Sequence, residues 1–270
     1  SLLQSNPDAI VVATRAYLDA GAECVATATY QASREGFATI GLSAAQADEL
    51  MLLSVDLATK ARADFMQANA DIALEPLIAA SIGPYGAMLH DGSEYTGNYV
   101  VTAKTLRRFH QSRLEILDSS DADVLAVETI PSRLEAEVLL DLLGECRTPA
   151  WISFSCRDGA HVVDGSPLEE VALLYADHPT VVAVGINCTP PQYAPELIKR
   201  LKTAAPQKVA LAYPNSGETY KVDDNSWSGT VTPGDCATAA KSWVAAGAEI
   251  VGGCCRMGPE HIRAIREALR

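Results

Sequence analysis

The run Ile250-Val251-Gly252-Gly253-Cys254-Cys255-Arg256 carries the reading of this chain. Its apolar, β-branched start suits a buried strand, and the strand stops at two glycines that hand over to two adjacent cysteines. Successive strand side chains point to opposite faces, so both thiols can converge only where the backbone leaves the strand, and the glycines permit that turn. The run predicts a buried strand ending in a reactive site.

A second run, Val181-Val182-Ala183-Val184-Gly185-Ile186-Asn187-Cys188, also ends in a cysteine, and Pro190 and Pro191 forbid its continuation. Both cysteine sites therefore fall at C-terminal ends of strands. In a parallel α/β barrel those ends face one another across the mouth, where catalytic groups collect. Cys188, Cys254 and Cys255 can there form three soft ligands around one metal, read as zinc with an open fourth position. An open position points to chemistry rather than scaffolding.

Strands and helices alternate along the rest of the chain. Strands are expected at 24–30, 77–82, 124–128, 151–155, 181–187, 209–213 and 250–253. Helices are expected at 6–20, 43–69, 102–119, 133–143, 167–176, 195–204, 233–246 and 259–269, the one at 102–119 amphipathic with its basic residues outward. Residues 83–97, rich in glycine, tyrosine and acids, read as a long binding loop. Such alternation is the pattern of a parallel sheet. Eight strands would close a (β/α)8 TIM barrel, and the expectation is such a barrel in one domain over residues 1–270, with its first strand upstream of Ser1.

With 21 basic and 34 acidic residues the formal charge is −13, which argues against nucleic acid or an anionic membrane as partner. No stretch reaches the roughly 18 to 20 consecutive apolar residues of a membrane span, and no basic region precedes an apolar one at the start. A soluble, cytoplasmic protein acting on small molecules, as a monomer or homodimer, is expected. Seven cysteines without a secretory signal argue for metal binding or burial over a disulfide framework.

Gly252-Gly253-Cys254-Cys255-Arg256, Gly185-Ile186-Asn187-Cys188, Glu128-Thr129, Gly83-Pro84-Tyr85-Gly86 and Tyr213-Pro214-Asn215-Ser216-Gly217-Glu218 together resemble the zinc-dependent homocysteine S-methyltransferases, most of all the branch that uses S-methylmethionine. The spaced cysteine and cysteine pair is the specific part. The resemblance runs over essentially the whole chain. It implies a (β/α)8 barrel in which Cys188, Cys254 and Cys255 bind zinc and Glu128 holds the homocysteine amino group. It also implies a first strand with an Asp-Gly-Gly or Asp-Gly-Ala turn, which is expected upstream of Ser1.

A homocysteine thiol has a pKa near the free-cysteine value of about 8.5, so at neutral pH it is mostly protonated and weakly nucleophilic. Zinc strips that proton, and three cysteinates keep the site electron-rich, which suits attack on a soft methyl carbon. The expected reaction moves a methyl group from a sulfonium, S-methylmethionine or S-adenosylmethionine, to homocysteine and yields methionine. Competing readings are a betaine-type methyltransferase, the homocysteine module of a cobalamin-dependent synthase, and a zinc-binding or redox-sensing protein with a vicinal Cys254–Cys255 disulfide.

Other candidates are weaker. Asn187 reads as orienting the metal site or bonding substrate; Thr29 and Tyr30, ending the first visible strand, and Ser216, in the Asn215-Ser216-Gly217 turn, are candidate substrate contacts. Cys24, Cys146, Cys156 and Cys236 read as packing, Cys156 being the nearest competitor as a ligand. His90, His110, His161, His178 and His261 read as loop or helix-surface residues.

Overall fold

The computed structural model describes residues 2–97, 99–221, 226–229 and 231–270. Its strands are β1 (Cys24–Ala26), β2 (Leu77–Ile82), β3 (Val124–Ile130), β4 (Ala150–Phe154), β5 (Val181–Asn187), β6 (Val209–Tyr213), β7 (Thr219–Lys221), β8 (Ser226–Ser228) and β9 (Ile250–Val251). Helices α1 (Leu2–Ser5) and α2 (Pro7–Asp19) precede β1, while α3 (Arg34–Ala38) and α4 (Ala44–Ala68) follow it. Helices α5 (Tyr85–Leu89), α6 (Ala103–Asp118), α7 (Arg133–Leu143), α8 (Leu168–Leu173), α9 (Ala194–Ala204), α10 (Pro233–Ala245) and α11 (Pro259–Leu269) complete the set among the described residues.

Seven strands form one parallel sheet in the order β1-β2-β3-β4-β5-β6-β9, and β7 pairs with β8 in a separate antiparallel hairpin. Each sheet neighbour is also the next sheet strand in sequence, the βαβ arrangement of a barrel wall. The sheet curls until α2 packs on α11, where the Tyr17 hydroxyl donates to Met257 O at 3.0 Å and Arg266 donates to Gly21 O.

Strand alternation sorts the side chains into two cores. Ile78, Ala80, Ile82, Leu125, Val127, Ile152, Phe154, Val184 and Ile186 point outward and join the helices in one large apolar cluster. Ala79, Val124 and Ala126 point inward with Cys24 and Trp151 in a second, small cluster. Toward the C-terminal strand ends the inward positions become polar, with Ser81, Glu128, Ser153, Asn187 and Tyr213 replacing alkyl groups. Gly185 is inward as well, and a Cβ there would overlap the Leu211 carbonyl and side chain of β6.

The structure departs from the sequence reading in several places. Strand β1 ends at Ala26 rather than residue 30, because past it the Thr29 hydroxyl, not a backbone amide, donates to Ser81 O at 2.7 Å. Helix α8 stops at Leu173 rather than 176, where i to i+3 bonds such as Ala176 N to Leu173 O tighten the chain into turns. The 83–97 loop contains α5 and a 3-10 turn at Ser93–Tyr95. On α6 the basic residues do not all face out. Arg113 and His110 are wholly buried, Arg113 because Gly83 O, Thr29 O and Tyr30 O accept from its guanidinium, His110 because its Nε2 lies 2.6 Å from Glu135 Oε1. His261 is also buried rather than on a helix surface, its Nδ1 accepting from Gly258 N to cap α11.

Candidate active site

Three non-glycine residues toward the C-terminal side of the sheet take left-handed backbone: Thr129 at φ 62°, in the irregular last turn of β3, Cys188 at φ 46°, directly after β5, and Arg256 at φ 67°, in the loop after β9. Such conformations cost on the order of 1–3 kcal/mol each and collect at functional sites. Here they turn the chain so that Glu128, Cys188 and Cys255, on or beside these turns, all face the barrel mouth.

Cys188 follows β5, and Cys254 and Cys255 follow β9. The three sulfurs lie within 4.8 Å of one another. Cys188 and Cys254 are joined as a disulfide with Cα atoms 5.6 Å apart, and Cys255 Sγ is 3.6 Å from Cys188 Sγ. The vicinal pair Cys254–Cys255 is therefore not the one bonded; two thiols arriving on separate loops meet more readily than two on adjacent residues. Backbone bonds lock the two loops against the segment after β6: Cys254 N donates to Pro214 O at 2.9 Å, Ser216 N to Cys255 O at 3.2 Å, and Asn215 N to Thr189 O at 3.1 Å. Three convergent thiols, once reduced, are a soft donor set suited to a thiophilic metal. Among the described residues no other group of His, Cys, Asp or Glu converges in this way. Cys24, Cys146, Cys156 and Cys236 lie outside it.

Glu128 is the next inward group. Its carboxylate is buried, with Ser81 Oγ donating to Oε1 and the Tyr213 hydroxyl donating to Oε2 at 3.0 Å. Burial pushes its pKa above the ordinary carboxylate range, while these two hydroxyls pull the other way. Trp151 Nε1 donates to the Tyr213 oxygen at 3.0 Å, and Ser153 Oγ lies 2.7 Å from it. Asn187 continues the network toward the thiols: Oδ1 accepts from Thr129 N at 2.7 Å and from Ser153 Oγ at 2.8 Å, and Nδ2 stands 3.9 Å from Cys254 Sγ.

A model of the homocysteine S-methyltransferase family matches residues 1–269. The chain belongs to the homocysteine S-methyltransferase family. Homocysteine S-methyltransferase YbgG of Bacillus subtilis is 45% identical over 267 residues, which span 98% of this chain and 84% of that protein. The oxidised crystal structure of the homocysteine methyltransferase MmuM of Escherichia coli superposes with a TM-score of 0.89 at 40% identity, covering 98% of this chain and 86% of the other. Its metallated form superposes at 0.88 with the same identity and coverage. This homocysteine S-methyltransferase thus shares its fold with a protein known in both an oxidised and a metal-bearing form.

The remaining sequence candidates are placed unequally in this family member. Tyr30 lies past the end of β1 with its hydroxyl buried, and a Cβ at Gly83 would come within 2.6 Å of its ring and carbonyl. Thr29 is fully buried, and its hydroxyl bonds Thr27 Oγ1 and Ser81 O. Ser216 Oγ accepts from Glu218 N at 3.3 Å and so shapes its own turn.

Sequence reasoning missed Ser81, Ser153 and Trp151 as partners of the site, and Tyr95, whose hydroxyl is 3.7 Å from Cys255 Sγ. The available signal was a lone serine in each of two apolar strands, Leu77–Ile82 and Ala150–Phe154, both at inward positions.

Proposed function

We propose that this enzyme transfers a methyl group from a sulfonium donor, S-methylmethionine or S-adenosylmethionine, to homocysteine, giving methionine, with zinc held by Cys188, Cys254 and Cys255. The observation that carries the reading is the convergence of three sulfurs within 4.8 Å beside a buried carboxylate, all at the C-terminal ends of parallel strands. Zinc bound there would supply Lewis acidity, taking the homocysteine sulfur as a further ligand and favouring its thiolate at neutral pH.

The chain's own residues do the positioning. Glu128, fixed by Ser81 and Tyr213, receives the homocysteine ammonium, whose charge offsets the cost of the buried carboxylate. Asn187 holds the end of β3 to that of β5, so the carboxylate and the thiol cluster keep a constant separation. That separation sets where the sulfur points, and alignment with the methyl carbon is the main catalytic contribution expected. A reducing compartment, the cytosol, would keep the three thiols free.

The same reading completes the fold. Strands β1 and β9 do not pair with each other among the described residues, which leaves two open edges, with apolar Ile250 on β9 44% exposed. An eighth strand between β1 and β9 would close a (β/α)8 barrel and cover them.

The test is a methyl-transfer assay with reduced, zinc-loaded protein offered homocysteine and, in turn, S-methylmethionine, S-adenosylmethionine and betaine. Methionine from either sulfonium supports the reading. Methionine from betaine alone moves the donor to a quaternary ammonium, and none from any donor sinks the proposal.

A further inference from the structure

Glu94 has no role in the reaction described so far. It sits in the 3-10 turn Ser93–Tyr95, its side chain is only 7% exposed, and its Oε2 is buried without a hydrogen-bond partner. Glu128 differs in that both its oxygens accept hydroxyl donors. A buried carboxylate oxygen left unpaired is costly, so the fold must hold it there.

The loop is built to do so. A Cβ at Gly86 would come within 2.7 Å of the Glu94 amide nitrogen, so the two backbone segments pack directly. Asp91 Oδ1 accepts from Ser93 N at 3.0 Å, and Gly86 O accepts from Ser93 Oγ at 3.4 Å. Buried Glu135 anchors both flanks, accepting from Tyr85 N at 2.7 Å and from the Tyr99 hydroxyl. The residue after Glu94 places the turn over the reacting centre, since the Tyr95 hydroxyl lies 3.7 Å from Cys255 Sγ. The Tyr30 phenol, pushed up first by burial, is raised further by Tyr95, Glu128 and Glu94, so both carboxylates act on the same side chain.

We propose that Glu94 is the carboxylate that binds the positive charge of the methyl donor, leaving Glu128 for the ammonium of the acceptor. The inference rests on the sulfonium reading above. A sulfonium carries no N–H or O–H, so it needs a compensating charge and aromatic faces rather than hydrogen-bond acceptors in fixed directions. A buried oxygen without a donor, in the turn that carries Tyr95 and near enough to act on the Tyr30 phenol, offers that. In the transfer the homocysteine thiol gives up its proton to solvent and its sulfur lone pair forms the new C–S bond. The old C–S bond breaks with its electron pair going to the donor sulfur, which becomes a neutral thioether. The charge Glu94 holds therefore disappears on reaction, and the demethylated donor is released from a site that no longer attracts it.

The test is Glu94→Gln, which keeps shape and removes charge, assayed with S-methylmethionine and homocysteine alongside metal content. The KM for S-methylmethionine should rise roughly tenfold to a hundredfold, with the KM for homocysteine and the zinc content unchanged. A shift in the homocysteine KM instead would place Glu94 on the acceptor, and no shift in either would remove it from binding; both overturn the inference while leaving the sulfonium reaction intact. Absence of transfer by the wild-type protein would instead break the reading beneath it. Should the variant fail to fold, the wild-type protein decides: it should bind S-methylmethionine at least about tenfold more tightly than 2-amino-5-methylhexanoate, the neutral-tailed isostere with carbon in place of sulfur, and equal binding overturns the proposal.

Discussion

Asn187 grips Thr129 twice: its Oδ1 accepts the Thr129 amide at 2.7 Å and its Nδ2 donates to the Thr129 hydroxyl at 2.7 Å. The grip joins the ends of β3 and β5, and it secures the left-handed backbone of Thr129 next to that of Cys188. One amide side chain thus sets the distance between the carboxylate arm and the thiol arm of the site.

Replacing that amide should cost stability as well as activity. Asn187→Ala removes the acceptor for both the Thr129 amide and the Ser153 hydroxyl, each buried. A loss of about 2–4 kcal/mol is expected in urea unfolding. An unchanged midpoint would mean that water replaces the amide.

Glu128→Gln should keep the fold and the metal but raise the homocysteine KM about tenfold or more, as loss of a buried charge partner does. The variant also reports on pH. The native carboxyl is held above its ordinary range by burial, so the native state binds the extra proton. Its contribution to stability is present below the unfolded carboxyl value and is lost as pH rises through the higher folded value. Unfolding measured from acid to neutral pH should therefore show the wild type losing ground to the Gln variant, and parallel curves would refute the assignment.

Cys188→Ser and Cys254→Ser should each lose metal and methyl transfer while circular dichroism and thermal unfolding stay near those of the reduced parent. Because Cys188 and Cys254 can also pair with each other, oxidised wild-type protein should take up no metal until a thiol reductant is added. Metal uptake by the oxidised form, measured by mass spectrometry, would separate the disulfide from the ligand set.

Arg113→Leu should destabilise by about 3 kcal/mol or more, because the carbonyls of Gly83, Thr29 and Tyr30 lose their common donor in a buried setting. Arg113→Lys should recover only part of this, since a single ammonium cannot reproduce the fork. Full recovery in thermal unfolding would show that charge alone matters.

Gly185→Ala tests the inner core. The added methyl would overlap the Leu211 backbone and side chain, so a loss of about 1–3 kcal/mol is expected from overpacking. A neutral result would require the β5–β6 pair to separate without penalty.

Much of the site was legible because it is written locally. Cys188, Cys254, Cys255 and Glu128 each end or follow an apolar run, and proline or glycine beside the cysteines marks where the strand stops. In a parallel sheet all such ends share one side, so strand alternation alone brings them to one mouth. The strand and helix order was readable for the same reason: period and breakers lie within a few residues of one another.

What only the tertiary structure decided depends on neighbours distant in sequence. Ser81, Ser153 and Tyr213 look like ordinary strand residues until the inter-strand register sets them on one inner layer around Glu128. Arg113 and His110 have the polarity of a helix surface, and what buries them is loop carbonyls and a carboxylate from other parts of the chain. Which cysteines pair, and that Glu94 is buried in the turn whose Tyr95 hydroxyl lies 3.7 Å from Cys255 Sγ, follow from loop packing, which no period in the sequence encodes.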